Sequence, residues 1–259
     1  VLLAISGSTN AVVHLAAIAG RRGIDLPLEN INRISDETPV LVNLKPTGEH
    51  YMQDLFAAGG LTAVLHELKH QLHLDCLTVT GETLGQWLSE TPKWVDRNVI
   101  RAFDEPYQKE GGLIALFGTL APTGAILKRA AADSNLFERT GRAVVFDSLE
   151  DLSERIDSED LDVSEDDFLV LKNAGPKSES CMPEAGYLPI PKKLAVRGVK
   201  DMVRISDARM SGTAFGMVVL HVSPDAASGG NLAFVQTGDS IRLSVKEKRL
   251  DLLVSEQEL

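Results

Sequence analysis

Two turns in the second half of the chain carry the side chains best suited to chemistry. Glu184 lies in MPEAG and Ser211 in RMSGT, within the stretch Gly175–Thr213. Both sit among Gly and Pro residues that allow tight backbone geometry. A carboxylate there is a hard oxygen ligand of the kind Mg²⁺ takes. A serine hydroxyl can act as a base only if nearby positive charge or a metal lowers its pKa greatly. On spacing alone, a surface glutamate and a turn-capping serine are the simpler readings. Arg209 lies two residues before Ser211 and Thr213 two after it. Arg209 is a candidate for holding an anion, with a structural ion pair as the equal alternative. Arg204, Lys192 and Lys193 are further cations that could meet an anionic substrate.

Two other clusters invite a functional reading. Ser6-Gly7-Ser8-Thr9-Asn10 follows an apolar, strand-like run and precedes a helical pattern over Ala11–Ala19. A hydroxyl-rich turn at a helix N-terminus can bind an anion through Thr9 and Asn10, although simple capping by Ser8 or Thr9 explains the same residues. His66-Glu67-Leu68-Lys69-His70 fits the H-E-x-x-H zinc pattern, with Glu67 as a would-be base. Lys69 inside the motif opposes a dication. Leu61, Val64, Leu65, Leu68 and Leu72 recur at helical spacing, so the segment reads as an amphipathic helix with its histidines on the polar side. A zinc hydrolase using His66 and His70 is the weakest of the functional readings.

The elements that must position these residues change character near Asp104–Gly112. Before it, strand-like runs such as PVLVNL and CLTVT alternate with helices predicted from DLPLEN, at Tyr51–Ala58 and at Leu61–Leu72. After it come the short strands LIALF, AILK, AVVF, FLVLK, VRIS, LAFVQ, IRLSV and LDLLV, with helices at SLEDLSERIDS and YLPIPKKLAVRG. The fold class is therefore α/β: a partial α/β domain over residues 1–108, then a barrel-like β domain with peripheral helices over residues 109–259. The chain begins without Met inside an apolar run, which suggests a piece of a longer protein.

The 259 residues are 44% hydrophobic and carry a formal net charge of −11. That charge argues against nucleic acid or an anionic membrane as partner. No apolar run is long enough to span a bilayer. Two cysteines, Cys76 and Cys181, imply no disulfide framework and fit a reducing cytoplasm. Cys76, in LDCLTV, reads as a core residue, and His221 as a packed histidine at a strand end.

Several long segments, in order, resemble the dihydroxy-acid and sugar-acid (aldonic acid) dehydratases: GSTNAVVHL, CLTVTGETL, GGLIALFGTLAPTGAILK, MPEAGYLPIPKK, DARMSGTAFG, LHVSPDAASGG and TGDSIRLSV. The resemblance is to the C-terminal portion of that family, and the DARMSGT wording is nearer the arabinonate- and xylonate-type enzymes than the branched-chain biosynthetic one. It implies a hydro-lyase that converts an aldonic acid to a 2-keto-3-deoxy acid. Ser211 is then the base at C2 and Glu184 a Mg²⁺ ligand. The resemblance also implies an iron–sulfur cluster whose cysteines lie in an N-terminal half. It further implies a homodimer or tetramer, with a small-molecule sugar acid as the only substrate partner. Cys76 and Cys181 cannot supply a three-cysteine cluster, so the chain alone is expected to be inactive. The sequence departs from the family pattern at Ser6 (usually Gly), at Thr119 (usually Asn) and at SESCMPE, where Cys181 replaces a glycine-rich approach. The alternatives are a branched-chain dihydroxy-acid dehydratase and a non-catalytic β-domain binding module.

Overall fold

The computed structural model describes residues 1–182, 188–211 and 215–254. These form two compact units: Val1–Gly7 with Arg33–Gly112, and Ser8–Asn32 with Leu113 onward.

The second unit is built on one mixed sheet. Its strands are β1 (Ile114–Leu116), β2 (Gly124–Leu127), β3 (Glu138–Phe146), β4 (Phe168–Leu171), β5 (Arg204–Ser206), β6 (Val218–Ser223), β7 (Ser240–Ser244) and β8 (Arg249–Leu252). They lie in the order β1-β2-β6-β5-β4-β3-β7-β8. The four central strands are parallel and the flanking pairs antiparallel. A parallel bridge between Phe117 and Arg249 joins the two ends, so the sheet is nearly closed into a barrel. Thr119 secures that seam. Its backbone N–H donates to Asp251, and its hydroxyl donates to the Leu252 carbonyl and accepts from the Leu252 N–H.

Strand β3 shows why these runs are apolar. Ala143 and Val145 point into the barrel core with Leu116, Leu127, Ile205, Val219, Ile241 and Leu250. Val144 and Phe146 point the other way, into a second cluster with Leu169, Leu171, Met202 and residues of two helices, α6 (Leu149–Arg155) and α7 (Lys192–Ala195). Both faces of the parallel centre are covered, so its strands read as continuous hydrophobic runs. At the β1 edge the Asn32 amide donates to the Ala115 carbonyl and accepts from its N–H, standing in for a missing strand.

Five helices precede the sheet: α1 (Asn10–Arg21), α2 (Leu28–Glu37), α3 (Met52–Ala57), α4 (Gly60–Glu67) and α5 (Leu84–Glu90). In the first unit, Leu55, Val64 and Leu68 pack with Ala4, Leu41, Val42 and Ile100. PVLVNL is buried as predicted, but Val40 and Val42 make only single bridges, to Gln108 and Ile100, and no ladder. Thr83, with Gln86 in a capping box, starts α5. Residues 2–6 form turns, not a strand. LAFVQ is a second correction: Asn231–Phe234 form a 3₁₀ turn that buries Leu232 and Val235, three apart, in the barrel core. Cys76 is exposed, so it is not a core residue.

The buried polar centre of the barrel unit is Arg204. Its guanidinium donates to Asp201 at 2.9 Å and to the carbonyls of Leu188, Met202 and Phe215. Asp201 also accepts from the backbone N–H groups of Met202, Met217 and Asp133. Both side chains are 5% exposed. Removing one partner leaves the other charge buried alone, so Asp201→Asn is expected to cost about 3–5 kcal/mol of stability. The measurement is the urea midpoint at unchanged m-value. A loss below about 1 kcal/mol would make this pair no stronger than a surface one.

Candidate active site

The loops that leave β4, β5 and β6 meet at one carboxylate. Asp207, fully buried, accepts from the Ala174 N–H at 3.0 Å and the Ala226 N–H at 2.9 Å. Burial and the nearby Asp225 push its pKa up, and the two N–H donors pull against that rise. Asp225 in turn accepts from the Lys177 N–H at 2.8 Å. Gly175 passes so close that a Cβ there would meet the Asp225 Cβ at 2.5 Å, so only glycine fits. Downstream, the Gly175 carbonyl accepts from the Met182 N–H and the Ser178 carbonyl from the Cys181 N–H, both at 3.0 Å. Cys181 and Met182 take positive φ angles of 52° and 54°.

This curled loop meets α1 and the segment after β5. Arg209 donates from Nε to the Met182 carbonyl at 3.0 Å. The Asn10 amide donates to the Met210 carbonyl at 3.2 Å. Together they enclose a pocket of about 270 Å³ lined by Asn10, Val13, His14, Pro176, Cys181, Met182 and Arg209. Ser211 follows Met210 and is exposed. The structure thus brings Asn10 and Arg209 to one pocket and puts Ser211 one residue from the Asn10 contact. Thr9 is buried and caps α1 without a side-chain hydrogen bond, and it does not line the pocket. Glu184 and Thr213 lie outside the described residues.

Sequence reasoning missed His14 as a pocket residue; it marked Cys181 only as a departure beside the Glu184 turn, and the structure puts it in the pocket lining. His14 is one helical turn beyond Asn10, so the spacing carried the signal once Asn10 was placed. Two of the other proposed cations go elsewhere. Arg204 is consumed in its buried ion pair. Lys193 donates to the Glu159 and Leu161 carbonyls, and the Lys192 N–H to Asp157. A larger groove of about 500 Å³ lies beyond the ends of β3 and β4. Asp147, Glu150 and Glu179 oppose Lys177 in its lining, which disfavours an anion.

The zinc pattern does not form a site. Helix α4 ends at Glu67 and a 3₁₀ turn takes over at Lys69, so His66 and His70 do not share one continuous helix face. His66 bonds Thr91 at 3.0 Å, Glu67 pairs with Arg97 at 2.8 Å, and His70 stands edge-on to Phe103. Among the described residues no group of three His, Cys, Asp or Glu could hold a metal, so they do not by themselves fit either Mg²⁺ or an iron–sulfur cluster. No helix among them is long and apolar enough to cross a membrane.

A barrel whose strand-end loops frame a small, cation-bearing pocket is an enzyme-like arrangement, and comparison with known proteins gives the class. Residues 98–259 match the dihydroxy-acid/6-phosphogluconate dehydratase C-terminal domain and residues 1–87 the N-terminal domain of the same family. The chain belongs to that dehydratase family. It is 48% identical over 258 residues to an L-arabinonate dehydratase of Rhizobium leguminosarum, covering 99% of this chain and 44% of the relative. It is 47% identical over 262 residues to a 6-deoxy-6-sulfo-D-gluconate dehydratase of Pseudomonas putida, covering 100% and 45%. It is 41% identical over 260 residues to a dihydroxy-acid dehydratase of Caldanaerobacter subterraneus, covering 99% and 46%. The chain therefore spans a little under half the length of these relatives.

Two predictions follow from the site's electrostatics. Asp207→Asn keeps one acceptor but turns an NH₂ toward the second backbone donor, at an expected cost of about 1–3 kcal/mol, read as a lower denaturation midpoint. The second concerns His221, whose pKa is pushed down to about 4, chiefly by burial and then by the charge of Arg209. The unfolded chain protonates at the ordinary value of 6.5, and the folded chain resists until about 4. Stability is thus full above pH 6.5 and falls as pH drops toward 4. Asp207, with its raised pKa, acts in the opposite sense, so the comparison is with His221→Gln. The variant's melting temperature should fall less steeply across that window; parallel curves would refute the assignment.

Proposed function

We propose that this chain is the C-terminal portion of a hydro-lyase that dehydrates an aldonic acid to a 2-keto-3-deoxy acid. The observation that carries the reading is the meeting of Asn10, the Cys181–Met182 turn and Arg209 at one pocket, beside Ser211. Arg209 holds the substrate carboxylate and stabilises the enolate-like charge that develops next to it. Ser211, as its alkoxide, takes the proton from C2 and becomes the neutral hydroxyl. The C2–H electron pair becomes the C2=C3 double bond, the C3–O bond breaks, and the departing hydroxide leaves as water once protonated. The resulting enol ketonises by gaining a proton at C3 and losing the one on the C2 oxygen. Asn10 and His14 offer hydrogen-bonding groups to the substrate hydroxyls.

Mg²⁺ and an iron–sulfur cluster, the cofactors we propose for the whole enzyme, supply Lewis-acid help to the leaving hydroxyl when bound. Glu184 is proposed as one Mg²⁺ ligand. The remaining ligands belong to the part of a full-length family member that this chain does not span, and without them the chain is inactive. A homodimer or tetramer in the cytoplasm, engaging neither nucleic acid nor membrane, completes the reading. The domain division at residue 108 is proposed on the same footing. A polyhydroxylated substrate is proposed over a branched dihydroxy acid, with Asn10, His14 and Arg209 as its hydrogen-bonding partners in the pocket. The 48% identity to an arabinonate enzyme, against 41% to a dihydroxy-acid enzyme, points the same way.

Three measurements test this in the full-length enzyme. Ser211→Ala should lower kcat by at least ~10²-fold and abolish solvent-deuterium exchange at C2 with the fold intact; exchange at the wild-type rate would assign the base elsewhere. Glu184→Gln should weaken the dependence of activity on Mg²⁺, and unchanged activation would reject the ligand. Turnover of pentonic and hexonic acids should exceed that of dihydroxyisovalerate in kcat/KM; the reverse order would favour the biosynthetic reaction.

A further inference from the structure

His221 is the residue of the barrel unit whose placement the packing of the sheet does not explain. Between β2 and β6, Leu220 stands opposite Ile126 and Ser223 opposite Gly124. Strand β6 therefore has two residues, His221 and Val222, where β2 has one. This is a β-bulge, a device that re-aims a side chain. Val222 stays in the barrel core. His221 takes a φ of 57°, in the left-handed region that a non-glycine residue enters only at a cost. Both ring nitrogens are buried, and among the described residues neither has a hydrogen-bond partner. Such unsatisfied buried groups are rare and call for a reason.

The surroundings supply one. The His221 N–H donates to the Ala208 carbonyl at 3.1 Å, tying the bulge to the residue just before Arg209. The Ala208 N–H is itself held by the Ser206 hydroxyl at 3.0 Å. The charge of Arg209 acts on the ring, and on the pocket side Arg209 is fixed to the Met182 carbonyl. A protonated imidazole there would repel the guanidinium. A neutral one does not, and burial keeps it neutral at ordinary pH.

We propose that His221 is a positioning residue for Arg209: the bulge sets its side chain beside the Ala208–Arg209 segment, and its backbone bond to Ala208 fixes that segment, so that Arg209 stays against Met182 and faces the pocket. The consequence for substrate binding rests on the function proposed above; the positioning itself does not.

The test has two arms. In the 259-residue chain, ¹⁵N NMR follows the Arg209 Nε–H. His221→Ala should speed its solvent exchange by ~10-fold or more while far-UV circular dichroism stays native. His221→Gln, of similar bulk, serves if the alanine variant does not fold. In the full-length enzyme, the same variants should raise KM for L-arabinonate by ~10-fold with kcat within ~3-fold. A histidine that merely packs would lower the melting temperature and leave both readouts alone. Wild-type Arg209 exchange in a folded variant would overturn the proposal. Faster exchange in an enzyme that dehydrates no aldonic acid would uphold the positioning and sink the proposed function instead. Faster exchange with an unchanged KM would overturn the role in substrate binding.

Discussion

The architecture of the pocket depends on one buried carboxylate. Asp207 sits at the end of β5, and its two oxygens take backbone N–H groups from the loops after β4 and β6. Burying a carboxylate is costly unless its hydrogen bonds are made, and here the geometry that makes them also brings three strand ends to one place. Asp225 extends the arrangement to Lys177, and Gly175 threads the narrow gap between the two acids. The residues that line the pocket are on loops, but those loops are anchored at their roots. Such a pairing of variable side chains with a fixed backbone is what catalytic loops require.

Two arginines five residues apart show how the same stretch serves both the buried core and the pocket. Arg204 lies within β5 and spends its guanidinium on Asp201 and three carbonyls. Arg209 lies beyond the strand end and lines the pocket, giving Nε to Met182. The sequence offered both as anion binders. What separates them is depth: a guanidinium inside the sheet must be neutralised by the protein, whereas one past the Asp207 anchor can meet a ligand.

Much of this was readable beforehand, for identifiable reasons. Helix α1 and helix α6 carry clear start signals and periodic apolar residues, and both formed close to their predicted spans. Seven of the short apolar runs became strands, while LAFVQ became a 3₁₀ turn, because a five-residue run does not separate a period of two from a period of three. Strand β6 was overlooked because His221 interrupts its apolar pattern at the bulge. Of the site, the Asn10 contact with Met210 joins residues 200 apart. Only the barrel topology can make that contact, so the residues could be named as candidates but not as neighbours. The ring environment of His221 depends on strand register, which local spacing does not encode.

The seam between β1 and β8 bears on how such a chain is made. Thr119 and Leu252, which exchange hydrogen bonds there, are 133 residues apart. Long-range pairings of this kind are entropically expensive and form late. A ribosome delivers β1 long before β8, so for most of synthesis the sheet has two unjoined borders. Asn32, emerging earlier than either, already occupies the backbone of Ala115 on the β1 border. A side-chain amide made early can therefore shield the waiting strand from pairing with a neighbouring nascent chain until the last strand arrives.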